Sequence, residues 1–415
     1  MAIIGQAGVL VRPPAQNRER ESNHHPKRGN LSGCAIPPGP LRHIARPIPT
    51  GEQSPWVTDS PPTDECGTCL GFCGHEYVDQ LEHNVRFPLS LYRSMASYLL
   101  GNMVARRKVF PLVLMLEPTH RCNLRCAGCG RIREYHDTLD EEMTLEECLQ
   151  AVDEAGPPVI TVTGGEPLLY SHADELVRAI LARGKHVYFC TNGLLLEDNL
   201  ARFQPSPWFT WNVHVDGSEA VHDAFIGRPG GFQKALAAIR AAKARGFRVS
   251  TNTTVYRDTS VDDLERLFTQ LADAGVDGIL VAPGFGYADV GDEMFLTRQE
   301  VMEKFGKIRE WSRRFPLISN PIYLDFLAGD LELDCTPWGS PTRNPRGWKS
   351  PCYLLTDTHF ASYADFMAHT DWDHYAAGRD PRCEQCMMHC GYEPTIARSM
   401  NAKNLLRMIR WNLHA

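Results

Sequence analysis

The chain has 415 residues, 43% of them hydrophobic and 22% charged, a composition ordinary for a folded protein and long enough for one large domain plus a smaller one. Its formal net charge of −7 gives no general attraction to nucleic acid. No segment has the length and apolarity of a transmembrane helix, and the first residues lack the order of a secretory signal, so a cytoplasmic location is expected.

Residues 1–85 are rich in Pro, Arg, Ser and His without a sustained helical or strand period, and read as a mostly disordered extension. Within them Cys66, Cys69, Cys73 and His75 either bind metal or precede the true start of the reading frame. From Phe87 the pattern changes. Leu89, Tyr92, Met95, Leu99 and Met103 recur at helical steps, and Arg106, Arg107 and Lys108 close an amphipathic helix over 86–108. Leu112 to Leu116 reads as a short buried strand, stopped by Pro118. Further strands are expected at 159–163, 186–191, 209–215, 248–255 and 278–282. Helices are expected from the capping box Thr144 to Glu147 until near Gly156, and over 173–183, 232–245 and 261–274. Strand–helix alternation over 109–320 implies a parallel α/β sheet, open or closed, with its chemistry at the C-terminal ends of the strands. The alternation then stops. A cysteine-rich region, 321–415, follows and ends in a helix over 402–413.

The chain has 14 cysteines, and a disulfide framework does not suit a reducing cytosol. Tight groups with short gaps favour metal. Cys122, Cys126 and Cys129 follow the first strand with C-x3-C-x2-C spacing. Three thiolates on one loop can hold three corners of a 4Fe-4S cubane and leave one iron open for chemistry. The alternative is a structural zinc site with His120 as the fourth ligand. Gly164-Gly165-Glu166-Pro167 ends the second strand. Its glycines allow close approach of a ligand, with Glu166 available to an ammonium group; a simple turn is the alternative. Asn192, His214, Asp216 and Asn252 stand at or near other strand ends. Strand alternation puts Cys190 on the face of Asn192, and Asn212 on that of His214 and Asp216. For His214 and Asp216 the alternative is a satisfied polar pair inside the barrel. Cys148 falls in a helical core stripe with Leu145, Leu149 and Val152 and carries no expected chemistry.

A strand feeding this three-cysteine loop resembles the radical S-adenosylmethionine (SAM) superfamily. The resemblance implies a partial (β/α)6 barrel, a 4Fe-4S cluster on Cys122, Cys126 and Cys129, and SAM contacts from Gly164, Gly165, Glu166 and Pro167. Asn192, His214, Asp216 and Asn252 join the expected cofactor-binding set. One departure is Gly128, where the superfamily usually has an aromatic residue. With Gly128, the stretches Phe110 to Pro118, Cys126-Ala127-Gly128-Cys129-Gly130, Cys190-Thr191-Asn192, Val213 to Gly217, Leu324 to Gly329 and His389 to Pro394 resemble a narrower family, the adenosylhopane synthases, over about residues 86–400. That resemblance implies reductive cleavage of SAM and addition of the 5′-deoxyadenosyl radical to the alkene of a hopene, diploptene. The carbon radical left behind then takes a hydrogen atom. Cys190 is the candidate donor, its alternative being a small buried hydrophobe. The implied partners are a lipid substrate and a reducing protein such as a ferredoxin or flavodoxin. Peripheral contact with the inner face of a membrane is expected through 87–108 and 402–413, unless those helices pack on the barrel.

Cys335, Cys352, Cys383, Cys386 and Cys390 fit a shortened form of the auxiliary-cluster pattern of SPASM and twitch extensions, with zinc or reduced thiols as rivals. The alternatives to the main functional reading are a peptide-modifying enzyme of that type, adenosyl transfer to another lipid alkene, and a non-catalytic metal module.

Overall fold

The computed structural model of the chain describes residues 86–286 and 292–413, all within the unit Cys66–Ala415. Cys66, Cys69, Cys73 and His75 lie outside the described residues.

The described chain opens with helix α1 (Leu89–Val104). It then runs through β1 (Val113–Leu116), α2 (Gly130–Glu134), α3 (Leu145–Ala155), β2 (Val159–Val162), α4 (Ala173–Ala182) and β3 (His186–Thr191). Next come α5 (Leu196–Asn199), β4 (Phe209–His214), α6 (Glu219–Ile226), α7 (Gly231–Ala244), β5 (Arg248–Val255), α8 (Val261–Asp273) and β6 (Gly278–Pro283). The C-terminal part holds α9 (Arg298–Glu310), α10 (Pro321–Leu327), β7 (Thr342–Asn344), β8 (Gly347–Pro351), β9 (Thr356–Phe360), α11 (Tyr363–His369), α12 (His389–Arg398) and α13 (Ala402–Leu413).

The first six strands are parallel, as the alternation predicts, and follow the sequential order that the resemblance to a partial (β/α)6 barrel implies. The cysteine-rich region is not a separate body hung on the barrel. It adds three strands to the same sheet, whose order is β6-β5-β4-β3-β2-β1-β7-β8-β9. Strand β7 pairs parallel to β1, and the β7–β8–β9 meander is antiparallel.

Local chemistry explains the boundaries. Thr144 and Glu147 close the capping box of α3, and Gly156 ends that helix at φ 70°, a left-handed conformation that suits glycine. Cys148 is fully buried on the inner face of α3, as its stripe predicts. Helix α8 starts on Ser260, whose hydroxyl accepts the Asp263 N–H at 3.0 Å, and buries Leu264, Leu267, Phe268 and Leu271. One face of the sheet, with Val187, Phe189, Trp211, Val213 and Val249, packs under these helices. Alternation turns Thr161, Tyr188, Cys190, Asn212, His214 and Asn252 to the lumen. Helix α1 forms over the expected stripe, which is unevenly covered: Tyr92, Met95 and Leu99 are half-buried, while Leu89 and Met103 are exposed at 41% and 71%.

Candidate active site

The cysteine loop is shaped by its neighbours' main chains. Strand β1 ends at Leu116, and the Gly165 N–H donates to the Thr119 carbonyl at 3.1 Å. The Glu166 N–H donates to the Arg121 carbonyl at 2.7 Å. Gly164 has φ 110°, and a Cβ on it would stand 2.7 Å from the Thr119 oxygen; a Cβ on Gly165 would stand 2.0 Å from that of Arg121. Both glycines are therefore needed for the approach of the loop itself. From the sequence, the close approach is expected of a ligand.

Glu166 differs from its expectation in the same way. Its side chain is buried, and its oxygens accept the Leu168 N–H at 3.0 Å, the Thr191 hydroxyl at 2.9 Å and the Asn192 N–H at 2.8 Å. Burial pushes its carboxyl up to about 7, against the pull of these donors. The carboxylate braces the ends of β2 and β3 and has little capacity left for an ammonium group. Asn192 completes the brace: its Nδ2 donates to Asn123 Oδ1, within the cysteine loop, at 2.7 Å.

Cys122, Cys126 and Cys129 are half-buried thiols. Cys122 and Cys126 rest on Leu124, Leu194, Phe225 and Ile226. Burial pushes the Cys122 thiol up to about 11 and that of Cys126 to about 12. His120 does not join them. Its ring stacks on Tyr135 with centroids 4.0 Å apart, and its Nδ1 lies 3.4 Å from the Thr138 carbonyl. Among the described residues, no group of three His, Cys, Asp or Glu side chains is placed to hold a single metal ion. Three thiols on one loop, with His120 engaged by Tyr135 and Thr138, fit three corners of a 4Fe-4S cubane.

The space over Gly128 is filled by two aromatic rings missed in the sequence. A Cβ there would meet the Tyr256 hydroxyl at 2.8 Å and the Phe225 ring at 3.0 Å, and these rings lie 4.6 Å apart. The aromatic group absent from the loop is thus supplied by the residue after β5 and by α6.

His214 and Asp216 form a pair, with Nε2 to Oδ2 at 2.6 Å, and Asp216 Oδ1 accepts the Thr254 N–H at 2.6 Å. Burial works against the charged imidazole, but Asp216 outweighs it and the His214 pKa is raised. Asn252 stands beside His214 across β4 and β5, its carbonyl accepting the Val215 N–H at 3.0 Å. Cys190 faces the lumen as expected. Its sulfur accepts a hydrogen bond from Asn212 Nδ2 at 3.4 Å, and burial pushes the thiol up to about 11.

Cys335, Cys352, Cys383, Cys386 and Cys390 converge on one apolar pocket with Phe285, Leu354 and Tyr392. Burial raises every one of the five thiols, reinforced in Cys335, Cys383, Cys386 and Cys390 by neighbouring thiols. Between this pocket and the first cysteine loop lies a charged network that no sequence motif announced. Arg131 Nε is 2.8 Å from Glu117, and its Nη1 is 2.9 Å from Glu134. Fully buried Lys349 is 3.1 Å from Glu134, and burial pushes its pKa down to about 8.

Residues 116–312 match the model of the radical SAM superfamily, and residues 279–410 match a domain of unknown function, DUF3463. The chain is 29% identical over 203 residues to an AdoMet-dependent heme synthase of Oleidesulfovibrio alaskensis, covering 47% of this chain and 52% of that one. It is 28% identical over 215 residues to the pre-heme d1 synthase of Dinoroseobacter shibae, covering 50% and 52%. The chain thus spans about half the length of the curated relatives it matches. Among solved structures, Streptococcus suis SuiB bound to S-adenosylmethionine aligns with TM-score 0.50 at 15% identity, covering 74% of each chain. The structure of anSMEcpe with bound AdoMet aligns with TM-score 0.51 at 14% identity, covering 72% of this chain and 96% of that one. With fold and matched segment in agreement, residues 116–312 belong to the radical SAM superfamily, whose 4Fe-4S cluster and SAM are this protein's cofactors.

Proposed function

We propose that this radical SAM enzyme adds a 5′-deoxyadenosyl group to the alkene of a hopene of the diploptene type. The observation that carries the reading is Cys190. A thiol held neutral in the lumen, on the same strand end as Asn192, is the side chain best suited to hand a hydrogen atom to a carbon radical. In this reading Cys122, Cys126 and Cys129 hold the cluster. The main chain of Gly164 to Pro167, with Asn192, the His214–Asp216 pair and Asn252, lines the SAM site. When bound, these cofactors supply the 5′-deoxyadenosyl radical. Because Glu166 is engaged with Thr191 and Asn192, the SAM ammonium falls to carbonyl groups of the 164–167 segment. Cys190 gives up one hydrogen atom per addition, so one electron and one proton restore the thiol. This electron, and the separate one that cleavage of SAM would consume, come from a ferredoxin- or flavodoxin-class donor. Four thiols of the Cys335, Cys352, Cys383, Cys386 and Cys390 pocket hold a second cluster, closed to substrate and suited to relaying electrons.

The five-thiol pocket favours a second reading, a two-cluster enzyme that modifies a peptide, and the relatives' names favour one acting in heme synthesis, as those names say of the relatives. Anaerobic incubation of the reconstituted protein with SAM, reductant and diploptene separates the two. Mass spectrometry is expected to find a saturated deoxyadenosyl–hopane adduct. Release of free 5′-deoxyadenosine without adduct would remove the hopene reading and leave the second.

A further inference from the structure

Ten large hydrophobic side chains are exposed among the described residues, and nine of them belong to two segments. Leu89, Leu100, Met103, Val104 and Val109 lie on α1 and just after it; Leu405, Leu406, Ile409 and Leu413 lie on α13. Only Val221 is elsewhere. Scattered exposed apolar residues need no explanation, but a concentration of this kind does.

The two segments meet. The Phe87 N–H donates to Asn412 Oδ1 at 2.8 Å, the Phe87 and Trp411 rings are 5.9 Å apart, and Arg86 lies 5.2 Å over the Trp411 ring. These contacts pin the start of α1 to the end of α13. Ser94 of α1 lies 3.5 Å from His186, the first residue of β3, so the helix covers the N-terminal ends of the strands. The shared face is therefore on the side of the barrel opposite the cysteine loop.

Each helix carries its large exposed apolar residues as one stripe. On α1, Leu89, Arg93, Ala96, Leu100, Met103 and Val104 fall within about 100° of arc. On α13, Leu405, Leu406, Ile409 and Leu413 do the same, while Trp411 and Asn412 turn inward. The charge is as one-sided as the apolarity. Residues 89–109 and 401–413 contain no Asp or Glu, although the whole chain is acidic at −7. They carry Arg93, Arg106, Arg107, Lys108, Lys403, Arg407 and Arg410, and among the described residues only Arg407 of these pairs with a carboxylate, Asp325. A protein partner would need acidic groups and an apolar surface matched to both helices. An anionic bilayer offers both at once, negative headgroups over hydrocarbon, which is how interfacial helices bind.

We propose that α1 with its basic turn and α13 form one membrane-binding face, which docks the domain on anionic lipid with the cysteine loop turned away from the bilayer. The proposal does not depend on the identity of the substrate.

The test is flotation of the full chain with phosphatidylcholine vesicles, with and without phosphatidylglycerol. Binding is expected to the anionic vesicles, to fall as salt is raised, and to drop about fivefold for each cation neutralised in R106Q and R107Q. L405E/I409E is expected to abolish it with no change in far-UV spectrum or thermal midpoint. M103S/V104S, which leaves both helix–barrel contacts intact, serves if that variant fails to fold. Three results would overturn the proposal. The intact chain could stay with the lipid-free fraction. Binding could be unaffected by all these substitutions. Light scattering could show that L405E/I409E turns a dimer into a monomer without vesicle binding, which would make a second copy the occupant of this face.

Discussion

The Arg131 guanidinium lies 4.4 Å from the centre of the Tyr353 ring. Arg131 comes just after Cys129, and Tyr353 directly follows Cys352, so one contact joins the two groups of cysteines. Arg131 also donates to the Tyr353 carbonyl, and Glu134 accepts from Thr356 as well as from Lys349. Short helix α2, which starts directly after Cys129, is thereby bolted to the β8–β9 turn. Buried ions hold a structure together only while every charge has its partner.

Glu134→Gln removes one such partner. Burial works against the Glu134 carboxylate, but Arg131 and Lys349 outweigh it and hold its pKa near about 2, against 4.5 when unpaired. A folded pKa below the unfolded one means that the contribution is complete above pH 4.5 and is lost as pH falls toward 2. Denaturant unfolding should show the variant less stable by on the order of 3 kcal/mol at neutral pH. The gap between parent and variant should close as pH falls through that window. A gap independent of pH would mean that the carboxylate is not held by these cations.

Cys190→Ala is expected to keep SAM cleavage and lose the saturated product. The two readouts separate generation of a radical from its quenching. Normal yield of saturated adduct from this variant would dismiss the thiol as the donor.

Gly128→Ala should crowd Tyr256 and cost about 1–3 kcal/mol of stability. Tyr256→Ala alone opens a void beside the loop. The double variant is expected to be more stable than the sum of the two single losses, because each change relieves the other. Additive losses in a double-mutant cycle would show that the ring does not occupy the glycine's space.

Anaerobic reconstitution should load about eight irons per chain, and a Cys352→Ala/Cys383→Ala/Cys386→Ala variant about four, with the SAM-dependent cluster spectrum preserved. A parent chain that saturates at about four irons would leave the second thiol pocket as reduced structural cysteine.

Much of the barrel was legible because its signals are local. The six strands carry β-branched or apolar runs, and α3 announces itself with Thr144 and Glu147. Helix α9 carries the same kind of signal in Thr297 and Glu300 and was readable, though it formed no part of the expected alternation. Strand β8 was not legible. Gly347-Trp348-Lys349-Ser350-Pro351 has no β-branched residue and no alternation, and all five residues are buried only because β7, β9 and α11 surround them. The site divides in the same way. The cysteine spacings were visible, whereas the role of Glu166 depends on Thr191 and Asn192, and the role of Arg131 depends on Tyr353, 222 positions away. At Gly164 and Gly165 the motif was visible in the sequence, whereas the Thr119 and Arg121 carbonyls that stand over the two glycines were not.

Strand β1 lies between β2 and β7, in the interior of the sheet, with Leu114 and Leu116 fully buried. Opening it means breaking ladders on both sides, so its amides should be among the slowest of the protein to exchange with deuterium. The three thiols hang from the end of that strand. The anchor of their loop is therefore part of the folded core. Iron stripped from the protein should be replaceable without denaturation, and repeated loss and repair of the cluster become cycles of chemistry on a fold that stays closed.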